Sequence, residues 1–321
     1  MAGTPYKYVY GPVLSRRLGR SLGIDIIPFK TCTYDCIYCQ LGKTTNKTIE
    51  RRSYAPVADI LNELKRKLMT GISADYISVA GSGEPTLHSD IGELIIKIKS
   101  LTDIPVAVIT NGSLLWMREV QEALMPVDIV LPSLDAGDEA LFQYVNRPHE
   151  AISFTQMVDG LVSFAGGFSG EIWLEIMLLA GVTGMDAEIR KIAVLTEKIK
   201  AAKIQLNTVC RPALEDFACA LDKKKMEKLA ELFSGKVDII NDDKSSRLSG
   251  TYEGDSTNSD ILDLLARRPC SIEGICSGLV LNPHDAAKRL RKLLEDNLIT
   301  ILRSDDKVFY KIKEKREPTM R

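Results

Sequence analysis

The chain has 321 residues, with 42 Lys or Arg against 43 Asp or Glu, and is 45% hydrophobic. That length and composition predict two domains, or one large barrel with a small appendage, around an ample apolar core. No apolar run reaches the ~18 residues that span a bilayer, and the N-terminus lacks a signal-peptide pattern. Seven cysteines, an odd number, argue against a disulfide scaffold, so a cytoplasmic location with no membrane contact is expected.

Residues 8–23 read as an extended lead-in marked by Pro and Gly, containing Ser15-Arg16-Arg17-Leu18-Gly19. Residues 22–27 alternate and are β-branched, which predicts a first strand. Directly after it stands Lys30-Thr-Cys32-Thr-Tyr-Asp-Cys36-Ile-Tyr38-Cys39-Gln-Leu-Gly42. Thiolates in this C-x3-C-x2-C spacing can each take one corner of a [4Fe–4S] cluster, because cysteine sulfur holds such clusters. Three ligands for four irons leave one iron open for chemistry. The alternatives are buried free thiols or a zinc site, and zinc wants a fourth ligand at knuckle spacing, which no nearby residue supplies.

This motif resembles that of the radical SAM superfamily. The resemblance implies that the open iron binds S-adenosylmethionine and that one electron cleaves its sulfonium to a 5′-deoxyadenosyl radical. It also implies that Tyr38, the aromatic residue before the third cysteine, lies against the adenine. Cys32, Cys36 and Cys39 are the implied cluster ligands.

Onward, helical periodicity covers 57–69, 91–100, 116–124, 154–165 and 186–202, and strands are predicted at 76–80, 104–110, 128–131, 172–179 and 203–209. Six strands alternating with helices mean right-handed crossovers and a parallel sheet. The predicted fold class is therefore α/β, and the resemblance implies a partial (β/α)6 TIM-like barrel over residues 1–240. Active sites of such barrels lie at the C-terminal strand ends. There Ala80-Gly81-Ser82-Gly83-Glu84 is similar to the superfamily's Gly-Gly-Glu motif, which holds the cofactor's ammonium. Ser82 between the glycines departs from that pattern and leaves the register of the contact open.

After the third strand Asn111 either faces the cofactor or forms an αL turn with Gly112. After the fourth, Ser133 and Asp135 match where the superfamily often binds ribose or carboxylate. Glu175 interrupts an apolar strand, so its carboxylate must be paired or ligand-bound; ribose hydroxyls and a salt bridge would both serve. At the sixth strand Asn207 and Arg211 reach the barrel mouth, where Arg211 would clamp the cofactor carboxylate or an anionic substrate. Cys210, Cys219, Cys270 and Cys276 lack tight ligand spacing and read as ordinary thiols or as a second cluster. His88, His149 and His284 are scattered, which gives hydrolytic chemistry no support.

Residues 1–55 carry nine basic against three acidic side chains. Such an excess would draw in an anionic substrate or an acidic flavodoxin- or ferredoxin-like electron donor, or would be a solvated surface. A helix at 223–233 capped by Asp222 and an edge strand at 237–240 end the barrel domain, and 241–256 read as a polar linker. In 257–321, helices at 260–267, at 271–279 with Ser271 as N-cap and at 284–297 capped by Asn282, with a hairpin over 298–312, are similar to a winged-helix domain. Its third helix would present Lys288, Arg289, Arg291 and Lys292 outward, toward RNA, DNA or a peptide or protein partner.

The whole arrangement resembles Fe–S oxidoreductases related to wyosine synthase. The expected function is hydrogen abstraction from a substrate such as RNA or a peptide. An activating enzyme for a glycyl-radical enzyme and a DNA-binding redox-sensing regulator are the alternatives.

Overall fold

In a computed structural model describing residues 6–240, 257–304 and 307–313, the alternating runs become a parallel sheet with helical crossovers. The chain begins with strands β1 (Val9–Ser15) and β2 (Gly19–Ile24), then two short strands in the cysteine loop, β3 (Thr31–Cys32) and β4 (Asn46–Lys47). Next come α1 (Val57–Leu68), β5 (Tyr76–Val79), α2 (Ile91–Leu101), β6 (Val106–Thr110), α3 (Arg118–Leu124) and β7 (Ile129–Pro132). They are followed by α4 (Glu139–Val145), α5 (Phe154–Gly167), β8 (Glu171–Leu178), α6 (Asp186–Ile199), β9 (Lys203–Thr208), α7 (Lys223–Ala230) and β10 (Val237–Ile239).

The main sheet runs β1-β2-β5-β6-β7-β8-β9-β10. From β2 to β10 every pairing is parallel, while β1 lies antiparallel to β2. The strands of such a parallel sheet are buried on both faces, and β7 is buried at all four positions. Helix α1 turns Val57, Ile60, Leu61 and Leu64 into the core, the i, i+3, i+4, i+7 face of an amphipathic helix. This order agrees with the predicted α/β architecture.

The extended lead-in is a strand, β1, and the short pair β3 and β4 and the helix α4 stand outside the predicted elements. Asp138 opens α4 by accepting the Leu141 N–H at 2.9 Å, a short capped helix whose seven residues are too few for a periodic signal.

Beyond residue 256 stand α8 (Asn258–Arg267), α9 (Ile272–Leu279), α10 (Pro283–Glu295) and the hairpin of β11 (Ile299–Ser304) and β12 (Lys307–Ile312). The predicted caps are in place: Ser271 accepts the Gly274 N–H at 3.2 Å and Asn282 the His284 N–H at 2.9 Å. The predicted linker 241–256 lies outside the described residues. Ile261, Leu264, Leu265, Ile275, Leu290, Leu293 and Ile299 form a second core, and that core takes in Val13 of β1. The Arg267 guanidinium sits 4.1 Å from the Tyr10 ring centre. Strand β1 is thus hydrogen-bonded to the main sheet on one side and packed on this C-terminal module on the other.

Candidate functional site

The cysteine loop leaves the C-terminal end of β2 and is fastened to three neighbouring segments. The Lys30 N–H donates to the Ser82 carbonyl at 2.7 Å and the Glu84 N–H to the Thr31 carbonyl at 3.1 Å. Ile37 donates to the Val145 carbonyl at 2.9 Å and accepts from the Glu215 N–H at 3.0 Å. These backbone bonds fix the loop between the glycine turn after β5, the end of α4 and the segment after β9.

Cys32, Cys36 and Cys39 are free thiols, and each sulfur faces one nitrogen donor. Asn111 Nδ2 lies 3.6 Å from Cys32, Asn146 Nδ2 3.6 Å from Cys36, and Lys30 Nζ 3.2 Å from Cys39. Burial pushes the Cys32 thiol up to about 12, with the Glu84 carboxylate adding to the effect. Burial also raises Cys36 well above the ordinary thiol range, with Asp135, Cys32 and Cys39 contributing. Cys32 and Cys36 are therefore electrostatic neighbours whose thiolate forms a bound cation would favour.

A cavity of ≈ 300 Å³ opens beside Cys32 and Cys39, and Tyr38, Gly81, Gly83, Glu175 and Asn207 also line it. Cys36, Glu84, Asn111, Ser133 and Asp135 are absent from its lining. Glu84, Asn111 and Asp135 each have partners within the chain.

Glu84 is buried and its carboxylate is fully engaged. One oxygen accepts from Thr86 N at 3.0 Å and from the hydroxyls of Thr86 at 2.5 Å and Thr110 at 2.6 Å; the other accepts Asn111 N at 2.8 Å. It joins the ends of β5 and β6. Burial raises its pKa, and these donors oppose the rise. Replacing Glu84 with alanine would orphan one buried and one half-buried backbone N–H group, at about 1–3 kcal/mol each. Equilibrium denaturation of the E84A variant should show a loss on the order of 3 kcal/mol; a loss below about 0.5 kcal/mol would contradict this role.

Asp135 is equally buried. It accepts the Tyr38 hydroxyl at 2.5 Å, Asn146 Nδ2 at 2.8 Å and Met177 N at 2.9 Å. It holds the aromatic residue of the cysteine loop. Ser133 bridges to Glu175 through its backbone. Asn111 donates to Thr33 Oγ1 at 2.7 Å as well as to Cys32. Glu175 pairs with Arg17 and accepts Asn207 Nδ2 at 3.2 Å, so of the two expected partners the salt bridge is the one formed within the chain.

Several residues at the site carried no local signal. Lys30, Asn146 and Thr33 touch the cysteine loop or its holders, and Arg16, Arg17 and Arg268 line the cavity. The charge excess near the N-terminus hinted at Arg16 and Arg17 but not at Arg268. Cys210 lines the cavity, Cys219 is exposed, Cys270 is buried in the second core and Cys276 is half-buried in α9. Among the described residues, no group of three His, Cys, Asp or Glu is gathered tightly enough for a single metal ion. On α10, Lys288, Arg291 and Lys292 are exposed and Arg289 half-buried, while Ala286, Leu290 and Leu293 face inward; Arg291 pairs with Glu295 at 3.0 Å. No helix among the described residues is long and apolar enough to cross a membrane.

Comparison with known proteins agrees with this geometry. The family model of the Radical SAM superfamily matches residues 26–193, which begins ahead of the cysteine loop and ends inside α6. A UPF0026 protein of Methanocaldococcus jannaschii is 32% identical over 309 residues, covering 94% of both chains. A protein of Brachyspira hyodysenteriae named GTPase Obg is 41% identical over 296 residues, but the chain spans only 43% of that longer relative. A radical SAM methyltransferase from Sphaerobacter thermophilus shares the fold, with a TM-score of 0.53 at 14% identity over 68% of this chain and 65% of the other. With the cysteine loop at a strand end and a near full-length relative in agreement, the chain belongs to the Radical SAM superfamily and to the UPF0026 proteins within it.

Proposed function

We propose that this protein is an enzyme that reductively cleaves S-adenosylmethionine and takes hydrogen from a substrate. Radical SAM proteins bind a [4Fe–4S] cluster and S-adenosylmethionine, which together supply a 5′-deoxyadenosyl radical. The observation that carries the reading is the trio of free cysteines, each with its own nitrogen donor, two of them lining a cavity shared with the glycine turn.

The residues fit the cluster. Thiols that neighbour one another without gathering around one ion suit a polynuclear centre bound at one thiolate per corner. The nitrogen donors to the sulfurs stabilise added negative charge and so tune the potential. For S-adenosylmethionine the cavity offers the glycine backbone and Tyr38. The Ser82 carbonyl is already taken by Lys30 N–H, so Gly81 and Gly83 are the turn residues left to meet the ammonium. Asp135 orients Tyr38, Glu84 holds the turn, and Lys30 balances charge at Cys39.

We read the C-terminal helices and hairpin as a winged helix, added to an architecture that resembles wyosine-synthase-related Fe–S oxidoreductases. It would position the substrate, with Lys288, Arg289, Arg291 and Lys292 available to an RNA or peptide, and a flavodoxin- or ferredoxin-like protein would supply the electron. Anaerobically reconstituted protein reduced with dithionite is expected to convert S-adenosylmethionine to 5′-deoxyadenosine and methionine, slowly, without substrate. A protein that holds the cluster and yields neither product would refute the reading.

A further inference from the structure

The cavity carries far more positive than negative charge. Arg16 and Arg17 come from the turn between β1 and β2, Arg211 from the segment after β9, and Arg268 from the end of α8 in the C-terminal module. Glu175 is the one carboxylate among the described lining residues, and Arg17 already pairs with it. Arg211 Nη1 meets only neutral acceptors, Gln40 Oε1 at 3.2 Å and Cys210 Sγ at 3.4 Å. No ion pair joins Arg211 or Arg268 to a carboxylate among the described residues.

Half-buried Arg17, Arg211 and Arg268 stand beside a single carboxylate among the described lining residues and repel one another. Burial, then Arg16, Arg268 and Arg211, lower the Arg17 guanidinium to about 10. Burial, then chiefly Arg211, lowers Arg268 as well. Such a cluster is costly unless an anion joins it, and guanidinium forks match phosphate oxygens in pairs.

We infer that Arg16, Arg17, Arg211 and Arg268 form the binding site for a phosphate monoester or diphosphate group of the substrate, with the C-terminal module closing the active site through Arg268. A carboxylate of the cofactor brings one negative charge, too few for this many cations. A nucleic-acid backbone spreads single charges along its length, whereas these arginines share one cavity of ≈ 300 Å³. The inference rests on the proposed cofactor chemistry, because it assigns the anion to the substrate and not to S-adenosylmethionine.

The test is calorimetric titration of pyrophosphate into the cluster-loaded full-length protein, with saturating S-adenosylmethionine, at low salt. Saturable binding is expected, weakened at least tenfold in Arg211→Gln and in Arg268→Gln and partly restored in Arg268→Lys. S-adenosylmethionine affinity should stay within twofold in all three, which also reports that they are folded. A short RNA with hydroxyl ends should not compete with pyrophosphate. The site is overturned if pyrophosphate does not bind, if it is displaced by S-adenosylmethionine or the RNA, or if the glutamine variants bind it as well as the parent. A protein that binds no cofactor at all fails the underlying reading, a result visible before pyrophosphate is added.

Discussion

Alanine at any one of Cys32, Cys36 or Cys39 is expected to leave reconstituted protein with almost no iron, no visible cluster absorbance and no 5′-deoxyadenosine. Each thiolate holds one corner of the cluster, and among the described residues no His, Cys, Asp or Glu group stands ready to replace it. The substitutions should do little to the fold. The three cysteines are only half-buried, and their loop is held by backbone bonds from Lys30, Glu84 and Ile37 that alanine leaves intact. Iron content, the visible spectrum and thermal melting measured together separate cluster loss from unfolding. A folded variant that keeps its iron would remove that cysteine from the ligand set.

Valine at Gly83 is the second change expected to have a large effect. A side chain there would run into the Thr31 carbonyl oxygen, with Ile27 Cγ2 at 2.6 Å and the Thr31 carbonyl carbon at 2.9 Å. Thr31 cannot yield without moving the residues that lead into Cys32, because its carbonyl also accepts the Glu84 N–H at 3.1 Å. Overpacking of this kind typically costs about 1–3 kcal/mol. S-adenosylmethionine affinity should fall at least tenfold, with a lower melting temperature. Gly166 in α5 is the matched control: nothing lies within 4 Å of its added Cβ, so G166A should be neutral or stabilising by about 0.5–1 kcal/mol. Unchanged cofactor affinity in G83V would show that the turn does not cradle the cofactor.

What the sequence determined by itself is local in character. The cysteine spacing stated the centre, the alternation of β-branched runs with amphipathic stretches stated a parallel α/β fold, and Asp222, Ser271 and Asn282 marked helix starts that the structure contains. Each of these signals is written within about a dozen residues. The tertiary structure decided which polar residues at the strand ends face the cavity. Glu84 and Asp135 have the residue type and position of ligand contacts, yet both are filled by donors from neighbouring strand ends and loops. A carboxylate at a strand end looks the same in one dimension whether its partners are the protein or a ligand. Strand β1 was hidden because its pattern is irregular, with a register shift between Tyr10 and Val13. It is nevertheless the strand that seats the C-terminal module and so brings Arg268, more than two hundred and fifty residues away in sequence, to the same cavity as Arg16 and Arg17. Periodicity records which face of an element is apolar; only the packed chain records which distant faces meet.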